Sequence, residues 1–225
     1  MHNPLIDSTE MYVRTVYELQ EEGIPALRAR LTERLGLSAP SVSETVARLE
    51  QEGLMRLTSD RTLELTAEGR DLAVSVMRKH RLAERLLVDV IGLEWHRVHA
   101  EACRWEHVIS DEVERRLVEL LGAPATDPHG NPIPDLGEEP APRRLRSLAD
   151  AAVAGPRDVR VERLSERLQN DPAMIGFVAE HGLRPGTVAH IEADGDKVRA
   201  TVADREFVCD ADLASLVYVE PVHDA

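Results

Sequence analysis

Apolar residues recur at helical spacing from the start of the chain, and each run ends on a recognisable stop. Val13, Val16, Tyr17 and Leu19 predict a first helix over 11–20, with Ser8 or Thr9 as its cap and Gly23 near its end. Pro25 marks a second start, after which Leu27, Leu31 and Leu35 fall four apart until Gly36 breaks the run. Ser38 caps a third helix whose Val42, Val46 and Leu49 stand at i, i+4 and i+7, and Gly53 ends it. Two helices joined by a short turn carrying Gly form a helix-turn-helix pattern. The period then shortens. Residues 54–57 and 62–65 read as strands on either side of the turn-rich 58–61, and Thr66 opens another helix. Helix, turn, helix, hairpin, helix is the order of a winged helix; a plain helical domain with a hairpin is the other reading of the same pattern.

A long helix over 66–90 carries Leu72, Val76, Leu82 and Leu86 on its apolar side, and a second is predicted over 95–121. Two such helices in succession present more apolar face than one domain needs, which suggests a helical dimerisation layer. Between 122 and 147, six of the thirteen prolines gather with three glycines, the pattern of a linker or extended arm. From 148 onward the chain reads mostly as β. Val159 and Val161 alternate, Val188 to Ile191, Val198, Val202, Phe207 and Val208 continue the pattern, Asp194 and Gly195 signal a hairpin, and 216–219 is a last strand. Short strands in a domain of this size build a small barrel or sandwich.

Composition narrows the class. The 225 residues suffice for more than one core, and with aromatics at 3% the packing must rest on Leu, Val, Ile and Ala. No apolar run approaches a bilayer span, and 1–9 lack the basic start and apolar stretch of a signal peptide. Cys103 and Cys209 are too far apart for a disulfide framework and suit a reducing cytoplasm, so a soluble cytoplasmic protein is expected. The net charge of −14 argues against generic phosphate binding. Even 1–73 holds eight Arg and no Lys against thirteen acidic residues. Binding to DNA would have to use a few placed arginines and helix N-termini, and a bound divalent cation would lower the opposing charge.

The chemistry concentrates at 99–107. His99, Cys103, Glu106 and His107 fall at i, i+4, i+7 and i+8, one face of the predicted second long helix. Each alone has a bland reading, as buried thiol or solvated charge, but a thiol, a carboxylate and two imidazoles on one stripe make poor core and good metal ligands. His80 and Glu84 share a face one turn apart on the preceding helix, which alone reads as a surface pair. Thiolate and imidazole with one carboxylate suit Fe(II), Co(II), Ni(II) or Zn(II), and the spacing matches no common zinc finger. Cys209, His129 and His190 read as structural.

Several stretches are long and unusual: 10–12 (EMY), 27–30 (LRAR), 77–87 (MRKHRLAERLL), 99–107 (HAEACRWEH) and 130–134 (GNPIP). Through them nearly the whole chain resembles the diphtheria toxin repressor family (DtxR/IdeR), in its actinobacterial, iron-dependent branch. The resemblance implies a mainly α fold with small β. Its parts would be a winged helix-turn-helix over 1–73, a helical dimerisation and metal-binding domain over 74–140, a linker over 141–149 and an SH3-like β-barrel over 150–225. It implies an Fe(II)-activated repressor of iron-uptake genes that binds palindromic double-stranded operators as a homodimer, one or two dimers to an operator. Two metal sites per subunit are implied: a primary site of Met11, Cys103, Glu106 and His107, and an ancillary site of His80, Glu84, His99, Glu166 and Gln169. Co(II), Ni(II), Zn(II) or Mn(II) would substitute for Fe(II) in vitro. In the family, metal also unwinds the start of the first helix, which would otherwise collide with DNA.

The same resemblance implies that the helix opening at Ser38 enters the major groove. Ser38, Pro40, Ser41 and Ser43 would stand at its DNA-facing end, with Ser8, Arg28, Arg30, Arg48 and, on the wing, Arg61 adding contacts. Where the family has Gln on this helix, the chain has Glu44, which repels phosphate and cannot pair with adenine but can accept from cytosine N4. The operator is therefore expected to differ at that contact. Among competing readings, a metal-dependent hydrolase lacks a nucleophile elbow, a phosphate loop and spare paired carboxylates, and leaves the winged helix unexplained. A manganese sensor is disfavoured by the soft ligands Met11 and Cys103. A sensor of an organic ligand would make no use of Cys103.

Overall fold

The computed structural model describes residues 8–135 and 145–222. They divide into two compact units, the first drawn from 8–83, 102–123 and 133–135, the second from 84–101, 124–132 and 145–222. Residues 136–144, which include the end of the expected dimerisation domain and the start of the expected linker, lie outside the described residues, as does the side chain of Ser8.

The first unit opens with α1 (Ser8–Glu21), α2 (Arg28–Leu35) and α3 (Ala39–Gln51). Ser8 and Thr9, read as caps, lie inside the first turn of α1. The cap expected at Ser38 forms: its Oγ accepts from Ser41 N at 3.4 Å, and Pro40 sits in the first turn where no N–H is missed. Val42, Val46 and Leu49 are fully buried, as the spacing requires, beside Val13, Val16, Tyr17 and Leu31. Strands β1 (Met55–Leu57) and β2 (Leu63–Leu65) pair antiparallel with Leu57 opposite Leu63, and Leu63 N donates to Ala26 O at 2.8 Å, fixing the hairpin to the start of α2. Helix α4 (Ala67–Leu86) follows. Its Gly69 lies so close to Leu54 that a Cβ there would come within 1.8 Å of the Leu54 carbonyl oxygen, so only glycine lets α4 begin against the hairpin. Arg81, fully buried, bonds Glu21 at 2.6 Å and ties α4 to α1.

The second long helix is not continuous. A 3₁₀ turn (Trp95–Arg97) leads into α5 (Val98–Trp105), a turn follows, and α6 (Asp111–Leu121) starts afresh under Ser110, whose hydroxyl accepts from Val113 N. The break has a local cause: Ser110 with Asp111, Glu112 and Glu114 is a strong helix start, with acidic groups at the positive end of the dipole. Glu106 and His107 therefore lie in the turn beyond α5, and the single stripe predicted for 99–107 is corrected. Val108, Val113 and Leu120 leave this part of the unit with exposed apolar side chains.

The second unit holds a six-stranded antiparallel sheet. Its strands are β3 (Arg146–Ser147), β4 (Arg157–Leu164), β5 (Val188–Asp194), β6 (Lys197–Val202), β7 (Arg205–Cys209) and β8 (Val217–Pro221), in the order β3-β8-β4-β5-β6-β7. The barrel expected from the resemblance is not seen as a closed ring among the described pairings, in which β3 and β7 are the two edges. The hairpin signal at 194–195 is realised, with Asp194 opposite Lys197. Val159, Val161, Ala189, Ile191, Ala200, Cys209 and Val219 face the core in strict alternation.

Four short helices interrupt the expected β pattern: α7 (Leu148–Val153), α8 (Glu166–Gln169), α9 (Pro172–His181) and α10 (Ala211–Leu216). Each has a side-chain cap, at Ser147, Ser165, Asp171 and Asp210. Strand β3 and α7 also begin within 141–149, which the sequence presents as linker. The proline-rich 124–132 is likewise not a loose arm. Asp127, His129 and Asn131 are buried, and Thr126 bridges Pro132. No helix among the described residues is long and apolar enough to cross a membrane.

Candidate metal centres and nucleic-acid face

In the first unit the centre of polar convergence is Glu106, 2% exposed in the turn after α5. Its oxygens accept from Arg14 Nη1 at 2.6 and 2.8 Å, lie 2.6 Å from His80 Nδ1 and 3.2 Å from His107 Nε2. Burial works to raise the Glu106 pKa, but the Arg14 charge and the hydrogen bonds from His107 and His80 hold its carboxyl far below the ordinary range. It is an anion. His107 has the reverse balance. Burial works to lower its pKa, yet hydrogen bonds to Glu10 (2.5 Å) and Glu106 push it up to about 9. Cys103 is half-buried on α5, with Sγ 3.5 Å from Arg14 Nη1. Met11 is half-buried on α1 and precedes Arg14 by three residues, which puts the two on one helix face. Cys103, Glu106 and His107 are thus gathered against α1, and a thiol, carboxylate and imidazole there, with a thioether on α1, suit a late divalent metal.

In the second unit Glu84, His99 and Glu166 present ligand atoms within 4.8 Å of one another, all buried. His99 Nδ1 is 3.1 Å from Glu84 Oε1 and 3.3 Å from Glu166 Oε2. Gln169 stands on the same short helix as Glu166, and its Nε2 donates to Leu164 O at 3.0 Å. That bond fixes the amide and leaves Oε1 buried with no hydrogen-bond partner among the described residues. A buried carbonyl oxygen left so costs about 1–3 kcal/mol, and a cation would satisfy it. The donor set fits a metal. His80, assigned by resemblance to the same site, is one turn before Glu84 on α4; its Nδ1 is the group described above beside Glu106.

Two residues that the sequence reading missed matter here. Arg14 reads as a surface partner of Glu18, four residues on, and nothing in the sequence says it is buried. His129, read as structural, lies with Nδ1 3.3 Å from Glu84 Oε2, packs against Trp95 with the rings tilted by 47°, and keeps a buried Nε2 without a hydrogen-bond partner among the described residues. With Glu84 and Asp127 it forms another group of close ligand atoms. Its signal was its place in the turn that GNPIP continues.

Apart from Ser8, whose side chain lies outside the described residues, the expected DNA-contacting residues are exposed or half-buried in the first unit. Ser38, Pro40, Ser41, Ser43, Glu44 and Arg48 are exposed on or before α3. Arg48 pairs with Glu52 (2.8 Å), and Arg28, half-buried on α2, approaches Glu50 at 3.7 Å. Arg30 is half-buried on α2, and Arg61 is exposed at the hairpin tip with φ 66°. Thr58 N and Oγ1 both bond Thr62 O, so the turn presenting Arg61 is well defined.

Residues 4–63 match the family described as iron dependent repressor, N-terminal DNA binding domain, and 66–135 match iron dependent repressor, metal binding and dimerisation domain. The iron-dependent repressor IdeR of Mycobacterium tuberculosis is 50% identical over 229 residues, spanning 98% of this chain and 100% of the relative. The diphtheria toxin repressor of Corynebacterium glutamicum is 50% identical over 224 residues, covering 97% and 98%. Among solved structures, IdeR of T. acidophilum matches with TM-score 0.81 and 28% identity over 99% of this chain and 100% of that one. A manganese-dependent transcriptional repressor in complex with manganese matches with TM-score 0.82 and 29% identity, over 95% and 100%.

Proposed function

We propose, from the premise that this chain belongs to the iron-dependent repressor family, that it is an Fe(II)-activated transcriptional repressor acting in the cytoplasm as a homodimer on double-stranded operators. The observation that carries the reading is the gathering of Cys103, Glu106 and His107 against α1, the first helix of the DNA-binding fold. Met11, Cys103, Glu106 and His107 are assigned as the primary ligands. Glu84, His99, Glu166 and Gln169 are assigned to the ancillary site, with His80 added by resemblance. A divalent cation there supplies positive charge that donors from distant stretches of chain can share.

The rest is done by the chain. Met11 and Glu10 lie in the first turns of α1, so whatever holds 103–107 also holds the start of that helix. Loose orientations of the DNA-binding elements give way to the one in which both recognition helices of a dimer meet their half-sites. The exposed Val108, Val113 and Leu120 suit a dimer surface. Target genes of iron uptake, and two dimers on one operator, are part of the same proposal. Manganese is a second reading, favoured by the likeness to manganese-dependent repressors. The thioether of Met11 and the thiol of Cys103 favour iron.

Metal dependence of DNA binding is the test. Without oxygen, the anisotropy of a labelled pool of duplexes should rise on adding Fe(II) and fall on chelation; a rise that chelation leaves unchanged contradicts metal activation. Metal counting should find two Fe(II) per chain in the wild type and close to one in Gln169→Ala, whereas an unchanged count removes Gln169 from the ancillary site. Glu44→Gln should change the preferred base at one position per half-site by roughly 1–3 kcal/mol, read by competition among single-base operator variants. Unchanged preference means that Glu44 does not face a base.

A further inference from the structure

Arg14 has no assigned role in either centre, yet it occupies the middle of one. Its Nη1 donates to both oxygens of Glu106, at 2.6 and 2.8 Å, and lies 3.5 Å from Cys103 Sγ, while its Nε donates to Glu18 Oε1 at 2.6 Å. Arg14 is 8% exposed and Glu106 2%. One nitrogen of a buried cation therefore touches two groups assigned above as ligands of the primary site. A carboxylate oxygen or sulfur that ligates a metal must offer it the lone pairs that now face Arg14. Two positive charges in so small and dry a space also repel one another.

We propose that Arg14 is the resident counter-cation of the primary site: it neutralises Glu106 in the metal-free protein, a divalent ion must displace it, and it thereby sets the metal concentration at which the protein switches. The inference rests on Cys103 and Glu106 being ligands. Its physical basis is that a buried carboxylate without a partner is costly, so the Arg14–Glu106 pair stabilises the metal-free arrangement and opposes any ligand that needs the other one. The displaced guanidinium is not abandoned. Glu18, one turn further along α1, already holds its Nε and can retain it when Nη1 leaves Glu106.

The experiment is Co(II) titration of the full chain without oxygen, read by the thiolate-to-cobalt absorption that reports Cys103 and calibrated against a competing chelator. Arg14→Met keeps the bulk of the side chain without its charge; Arg14→Lys keeps the charge without the two-pronged geometry. Arg14→Met should bind Co(II) about ten-fold more tightly or better, because the competing ion pair is gone, and Arg14→Lys should fall between it and wild type. The metal-free Arg14→Met protein should melt below wild type, and the gap should narrow when Co(II) is bound. Both variants binding Co(II) no more tightly than wild type would overturn the proposal. If Arg14→Met is unfolded without metal, Co(II) must restore its helical circular dichroism at lower free metal than half-saturates wild type, and failure to do so overturns it equally. Absence of thiolate absorption in wild type would instead remove the ligand assignment on which the proposal stands.

Discussion

Cys103→Ser is expected to abolish the response to Fe(II), weakening metal binding at the primary site by about a hundred-fold or more. Changes to groups that merely orient ligands already cost roughly 10–100-fold, so loss of a ligand should cost no less. Serine is nearly the same size, so packing on α5 is preserved, but its neutral hydroxyl is a hard, weak donor beside an imidazole and a carboxylate. The substitution therefore separates chemistry from fold. Cys209→Ser is the control. Cys209 is buried in β7, where burial and the neighbouring Asp210 push its thiol up to about 12, and among the described residues it belongs to none of the groups of close ligand atoms. Chelator competition without oxygen should show the loss for Cys103→Ser alone. A protein that sensed an organic ligand, or a hard-ligand manganese site, would be indifferent to the change.

Gly130→Ala is expected to destabilise the metal-free protein by roughly 3 kcal/mol or more, the second large effect. Two causes add. Gly130 has φ +87°, a conformation that L side chains rarely adopt, and an added Cβ would lie 2.0 Å from the Glu162 carbonyl oxygen, a backbone atom that cannot swing aside. The turn is also stitched in place. Asp127 Oδ1 accepts from His129 N (2.7 Å) and Asn131 N (2.9 Å), and Leu164 N donates to His129 O (2.9 Å). Leu164 O in turn takes the Gln169 amide. Displacing the turn should therefore weaken the ancillary site while leaving the primary site near wild type. Urea denaturation should show the loss, and metal counting at limiting Fe(II) should show one site weakened. A change under about 0.5 kcal/mol, within the range of an ordinary surface substitution, would mean that the strand carrying Glu162 yields easily.

The winged helix was legible because its signals are local: the Ser38 cap, the four-residue apolar spacing and the turn between two short strands are read within a few residues of each other. The candidate ligands could be picked out by residue type, but not their arrangement. The apolar period of 95–121 carried through a break whose signal, Ser110 followed by acidic residues, was present and outweighed. In the second unit, apolar runs such as the one in α9 pass for strands. Only the cap at Asp171, accepting from Ala173 and Met174 N, and Pro172 in the first turn mark a helix. The order of 124–132 could not be read because proline and glycine signal a lack of regular structure, not a lack of order; there the Asp127 side chain takes His129 N and Asn131 N, while Arg85, Trp95 and Leu164 N bond the carbonyls of Thr126, Pro128 and His129. Arg14 could not be read at all. Its local partner, Glu18, gives it the look of a surface residue, and its burial against Glu106 depends on a contact 92 positions further along the chain.

On the proposed function, metal turns this chain into a sequence reader. A randomised duplex pool, selected without oxygen in parallel with Fe(II) and with chelator, tests it without assuming an operator. An inverted repeat is expected, enriched only in the Fe(II) arm, with the base opposite Glu44 read directly from the enriched half-sites. Enrichment of the same repeat under chelation, or of no sequence in either arm, would contradict it.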